Sequence, residues 1–293
     1  MAEGAARICL TELSSAEGLP NPAPLDTSAA GPGLLRKTLV DARSYSRFKH
    51  GDAAVARRFA IAMAALAAQR LPSRPVLVTT SAFGHVPPAA YSLLVPFVQQ
   101  LRALRPDLEV GTFRIRRDGV SNGDYARMPV ADRRDAIGAG DLSPERDLAG
   151  ASVLALDDIC VTGNHELAVD RCLAAAGVAE MLHLYVVDAT RFAGTPQIES
   201  ILNEAAIEGP SDLLDIAAGR RFVPNARLCR RVLSLDAEQL SFFVHQADPS
   251  LLGWLDAAIG HDRLATVPAY TDRVRRWDLV RAAARPGVDE GVS

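Results

Sequence analysis

Four short apolar runs, set apart by helical stretches, constrain this chain more than any other feature. "PVLVTT" (75–80), "LEVGTFRI" (108–115), "SVLALDD" (152–158) and "MLHLYVVDA" (181–189) have strand length and are rich in Val, Leu and Ile. Helical spacing fills 52–69. A second helix starts at Pro87-Pro88 and runs to about Ala103, and a third ends near Ala176, with Gly177 as its stop. Apolar runs that do not alternate with polar residues belong to strands covered on both faces, and strand–helix alternation gives parallel βαβ units. The expected fold class is therefore α/β, a mainly parallel sheet flanked by helices. Such sheets bind ligands beyond the C-terminal ends of their strands. Thr79-Thr80-Ser81, Asp157-Asp158 and Asp188 all fall at such ends.

Three regions follow from the pattern. Residues 1–35, with "GLPNPAPLDTSAAGPG", read as a weakly ordered arm or irregular cover. Residues 36–194 hold the α/β core, and 195–293 read as a helical subdomain. A net charge of −3 gives no general nucleic-acid surface, and no apolar run is long enough to span a membrane. The four cysteines form no CxxC pair and no signal peptide is visible, which suits reduced thiols in a cytoplasmic protein. Zinc spacing, GxSxG, HExxH and Walker patterns are absent from the sequence.

"SVLALDDICVTGNHE" (152–166) carries the chemistry. Two adjacent carboxylates, Asp157 and Asp158, close an apolar strand without an evident local counter-charge. They suit acceptance of hydrogen bonds from a diol, or a face turned to a metal-bound ligand. Val161, Thr162, Gly163, Asn164 and His165 then open a helix. Backbone N–H groups converging at the positive end of a helix dipole form a phosphate cradle. Diol-binding acids beside a phosphate cradle describe a site for ribose 5-phosphate.

With those residues in view, "VLALDDICVTG" resembles the phosphoribosyl-pyrophosphate (PRPP) motif of type I phosphoribosyltransferases. The resemblance implies that Asp157 and Asp158 hold the ribose hydroxyls and that Val161–His165 hold the 5-phosphate. It also implies a pyrophosphate loop at Thr80, Ser81, Ala82 and Phe83. Separately, "YSRFKHGD" (45–52) sets Arg47 and Lys49 before a helix, either as a further phosphate contact or around a plain N-cap at Asp52. A mobile loop over 116–150 would carry Arg116, Arg117, Tyr125 and Arg127 to the reaction centre, with Arg133 and Arg134 nearby. Mg2+ would bridge PRPP and the acid pair, Asp157 and Asp158. The partners implied are PRPP and a small-molecule acceptor, a base or a hydroxyl; a homodimer is compatible with the reading.

Two departures matter. Val161 stands where purine-salvage members often carry an acid, which argues against an ordinary purine acceptor. His165 replaces the usual Thr or Ser and makes the cradle's charge pH-sensitive. The expected activity is Mg2+-dependent transfer of the phosphoribosyl group with release of pyrophosphate, in nucleotide or specialised metabolism. The alternative is a PRPP-sensing regulator without turnover, although no basic helix-turn-helix is visible. A receiver-like domain would need a lysine on a late strand, and the only lysines, Lys37 and Lys49, lie early.

Overall fold

The computed structural model describes residues 6–14, 40–117 and 141–284. Five parallel strands form the central sheet in the order β1-β7-β6-β2-β3: β1 (Ala6–Glu12), β2 (Val76–Thr80), β3 (Val110–Thr112), β6 (Ser152–Cys160) and β7 (Glu180–Asp188). The expected α/β class is the observed one. Helices α1 (Ala42–Lys49), α2 (Ala53–Ala68) and α3 (Leu94–Leu104) cover one face. Phe48, Phe59, Met63, Phe97 and Leu101 of this layer pack with Leu154, Leu156, Leu184 and Val186 of the sheet. Helix α4 (Asn164–Ala175) covers the other face and buries Val153 against Val169 and Leu173. Two buried faces are why the strands read as apolar runs.

The residues 6–12 correct the expectation of an irregular N-terminal arm: they form the edge strand β1, paired with β7. Its period-2 pattern is short, with only Ile8 and Leu10 buried within it, and the Pro- and Gly-rich stretch that follows obscured it. The rest of the predicted arm, 15–35, lies outside the described residues. Arg7 fastens β1 to α4: Nε and Nη2 donate to the two oxygens of Glu166 at 3.0 and 2.6 Å, and Tyr185 donates to the same carboxylate at 2.9 Å.

The predicted strand 108–115 is two strands. β3 stays in the sheet. The chain then crosses to β4 (Ile115–Arg117), which pairs antiparallel with β5 (Leu142–Pro144). The loop after β2 causes the break by taking over the pairing. Phe83 N–H donates to the Ile115 carbonyl, and Arg117 N–H to the Phe83 carbonyl.

The boundary drawn at 194 also moves. Helix α5 (Ile198–Glu204) belongs to the core layer, because Ile198 and Leu202 join its cluster and Ser46 Oγ donates to the Asn203 carbonyl at 2.6 Å. The separate helical cluster begins near Ile207: α6 (Pro210–Ala217), α7 (Ala226–Leu233), α8 (Ala237–Gln246), α9 (Pro249–His261) and α10 (Thr271–Ala283). Asn225, Asp236 and Asp248 cap α7, α8 and α9 by accepting first-turn N–H groups. Leu228, Val232, Leu240, Phe243, Leu255 and Trp277 fill the cluster's centre. Arg227 of α7 faces Glu199 of α5, and among the described residues backbone hydrogen bonds join the cluster to the core at two further places. At one, Ala53 N–H donates to the Arg221 carbonyl and Val223 N–H to that of Gly51. Gly51 has φ +105°, and a Cβ there would lie 2.6 Å from the Val223 carbonyl oxygen, so glycine is required. At the other, Ala226 N–H donates to the Pro87 carbonyl, and Val86 joins the helical core.

Arg7→Met should lower unfolding stability by about 1–3 kcal/mol in urea denaturation, since it leaves the shielded Glu166 carboxylate short of its charged donor. An unchanged midpoint would show that β1 is held by its strand pairing alone.

Candidate functional site

The acid pair lies within β6 rather than at its end, because pairing with β7 continues to Cys160↔Asp188. Adjacent strand residues point to opposite faces. The two carboxylates therefore enter different surroundings, although the Asp158 charge still acts on Asp157.

Asp158 points to the helical layer and is buried. Lys49, at the end of α1, donates from Nζ to its Oδ2 at 2.5 Å, and both side chains are largely shielded from solvent. The counter-charge that is missing locally comes from far away in the chain. A lysine 109 positions earlier supplies it. Lys49, expected to face pyrophosphate, instead spends its charge on Asp158. A buried carboxylate requires a partner, so the signal in the sequence was the scarcity of lysine: one of two lysines stands just before a helix that must pack on this strand. Tyr45, one turn earlier on α1, is also buried beside the pair, and its ring lies 5.9 Å from Lys49 Nζ. Burial first, and then the Asp158 charge, push the Tyr45 phenol well above its usual range. Sequence reading missed Tyr45.

Asp157 points to the α4 face. Its Oδ1 accepts from Ser81 Oγ at 2.6 Å and from the backbone N–H of Asp158 at 2.8 Å. Its Oδ2 lies 3.7 Å from His165 Nε2, a ring nitrogen that finds no hydrogen-bond partner among the described residues. Burial, then the neighbouring Asp158 charge, raise the Asp157 pKa, while His165 and Ser81 work against the rise. The loop after β2 and the turn after β6 thus meet at one carboxylate.

Gly163 caps α4 in the left-handed region, φ +71°, with open space where a Cβ would stand. Its role is backbone direction: it turns the chain into α4, whose first N–H groups have no intrahelical acceptors, and Asn164 N–H donates to Thr162 Oγ1 at 3.5 Å. Val161 is buried, whereas Thr162, Asn164 and His165 are half-exposed. Of the predicted pyrophosphate loop, Thr80 is buried, Ser81 holds Asp157, and the Phe83 N–H is committed to Ile115. Phe83 therefore offers no amide to an anion; its ring carries the Arg114 guanidinium at 4.1 Å. Arg116 and Arg117 sit on β4, next to that loop. Tyr125, Arg127, Arg133 and Arg134 lie outside the described residues. Among the described residues there is no cluster of three or more metal-ligating side chains, and no helix is long and apolar enough to cross a membrane.

The buried ion pair yields a double-mutant test. Lys49→Met and Asp158→Asn should each destabilise by about 3–5 kcal/mol, because each leaves an uncompensated buried charge, and the double variant should cost less than the two together. Additive losses in chemical denaturation would refute the coupling. Asp157→Asn should behave oppositely. A carboxyl with a raised folded-state pKa binds extra protons in the native state. Its ionisation therefore lowers stability as pH rises from the ordinary carboxylate range through the folded pKa. The neutral amide removes that burden, so the variant should melt no lower than the parent at neutral pH and lose part of the pH dependence on the acid side. A clear drop in melting temperature would contradict this.

A family model, PRTase ComF-like, matches residues 37–275. No curated protein matches the chain at a significant level. Among solved structures, a hypoxanthine phosphoribosyltransferase from Staphylococcus aureus is similar at 10% identity and a TM-score of 0.31, over 45% of this chain and 62% of that one. The chain thus spans about three fifths of that enzyme's length. A hypoxanthine-guanine phosphoribosyltransferase from Bacillus anthracis is similar at 7% identity and a TM-score of 0.32, over 46% of this chain and 67% of that one. Likeness at this level adds nothing to the family model, whose match runs from before α1 into α10. On that match, the chain belongs to the ComF-like phosphoribosyltransferase family.

Proposed function

We propose that this protein transfers the 5-phosphoribosyl group of PRPP to an acceptor nitrogen or oxygen. The observation that carries the reading is the junction at Asp157, where the serine of one strand-end loop bonds the carboxylate that precedes a glycine-turned helix start. A diol acceptor and an anion cradle stand side by side there.

In this reading Asp157 accepts from a ribose hydroxyl, and the first amides of α4 take the 5-phosphate with Thr162 and His165 beside them. Asp158, tied to Lys49, acts mainly by fixing the strand end and the charge behind Asp157. The acceptor forms a bond to the anomeric carbon while the bond to the pyrophosphate oxygen breaks. The electron pair leaves on pyrophosphate, and the acceptor releases its proton. The developing positive character of the sugar lies near Asp157, and the departing negative charge near the arginines of β4.

The donor set fits magnesium in a limited way. Mg2+ is commonly held by one or two carboxylates together with substrate phosphates and water. Lys49 occupies Asp158 Oδ2, so Asp157 is the residue that would face the ion, a narrower assignment than the acid pair. When bound, the ion would neutralise charge on the leaving pyrophosphate.

PRPP with Mg2+ at about a hundredfold excess over its dissociation constant should raise stability by roughly 2.7 kcal/mol. Asp157→Asn should cut that affinity by about tenfold or more, the loss expected for an ionised hydrogen-bond acceptor. Calorimetric titration checks both, and pyrophosphate release against a panel of acceptors checks turnover. Absence of any PRPP binding would sink the proposal, whereas binding without release would favour a PRPP-sensing role.

A further inference from the structure

Helix α4 opens at the turn read above as the 5-phosphate cradle, yet its first turn carries an acid, Glu166. A carboxylate there competes with a bound phosphate for the positive end of the helix. Glu166 is the third residue of α4, the position from which a glutamate can reach back to the backbone N–H of the cap residue. Both of its oxygens bond to the sheet instead. Arg7 Nε donates to Oε2 at 3.0 Å and Nη2 to Oε1 at 2.6 Å, a bidentate fork, and the Tyr185 hydroxyl donates to Oε2 at 2.9 Å.

The two donors are themselves held. Tyr185 is buried on β7, and burial pushes its phenol above the ordinary range, so the hydroxyl keeps its proton and remains a donor. Arg7 arrives on β1 from 159 positions earlier. Its guanidinium lies 5.9 Å from the centre of the Tyr185 ring, and its Nη1 is 3.7 Å from Asp188 Oδ2 at the end of β7. Only 13% of the Glu166 side chain is exposed, so the Arg7 charge acts on it with little screening. Tyr185 is also the β7 residue in register with Asp157. One network therefore runs from the edge strand to the start of α4 and passes beside the carboxylate assigned to the ribose.

We infer that Arg7 and Tyr185 are positioning residues for the 5-phosphate: they draw the Glu166 carboxylate toward the sheet and offset its charge, which leaves the start of α4 to the ligand. The edge strand β1 thereby contributes to affinity without touching the ligand. This inference rests on the transferase reading above. Ribose 5-phosphate and PRPP with Mg2+ are titrated calorimetrically into the parent, Arg7→Met, Glu166→Gln and the double variant, at a temperature where melting curves show all four folded. Arg7→Met should bind both ligands about fivefold or more weakly, the scale of one uncompensated charge at a helix terminus. Added salt should narrow that gap, because charge repulsion is screened. Glu166→Gln alone should not weaken binding. In the Arg7→Met background it should restore affinity to within about twofold of the parent, although the tie between β1 and α4 is gone. If the tie serves only as an anchor, the double variant stays weak and the gap does not respond to salt; either result overturns the inference. A parent that binds both ligands with Arg7→Met equal to it strikes this inference alone. A parent that binds neither overturns the transferase reading and this inference with it.

Discussion

The buried contact between Lys49 and Asp158 sets the terms for the rest of the site. A strand covered on both faces can carry a carboxylate only if an opposite charge reaches it, and Lys49 does so from the end of α1. That contact ties the helical layer to the strand at the position from which Asp157 projects to the opposite face. The cost of bringing two charges out of water is offset when their geometry is tight and their remaining hydrogen bonds are met. Asp158 is therefore an architectural residue, and Asp157 enters the opposite face beside Ser81 and His165.

The site is otherwise assembled from loops that serve two masters. The segment after β2 supplies Ser81 to Asp157, Phe83 to the β4 ribbon, and Val86 with Pro87 to the helical cluster. Its backbone is held at several points, so Asp157, the arginine-bearing ribbon and the helical region keep a common frame. The cluster of α6–α10 keeps a core of its own and meets the rest of the protein through backbone contacts at Gly51, Ala53 and Pro87 and through Arg227 and Glu199. A division of labour follows: the parallel sheet presents its strand ends, and the helical cluster supplies part of the wall of an arginine-lined cavity beside them.

Much of this was legible in the order of residues. Local patterns carried it: apolar runs of strand length, the Pro-Pro helix start, the turn at Gly163, and two acids followed by Thr-Gly. Where local pattern was weak the reading failed. β1 has too few buried positions to stand out, and the run 108–115 looks continuous although a distant loop divides it. The separation of core and helical region near Gly194 failed for a similar reason, since α5 is claimed by Ser46 of a helix far earlier in the chain.

The sequence by itself determined the α/β class, the parallel sheet and the neighbourhood of the acid pair, because strand periodicity, helix termini and turn chemistry are properties of neighbouring residues. Folding in three dimensions settled which face each carboxylate enters, that Lys49 answers Asp158, that Phe83 gives its amide to β4, and that Arg114, Arg230 and Arg263 share one cavity. Those outcomes depend on charge and hydrogen-bond partners separated by tens to more than a hundred positions. Burial makes such partners obligatory without naming them, and packing alone selects which one arrives.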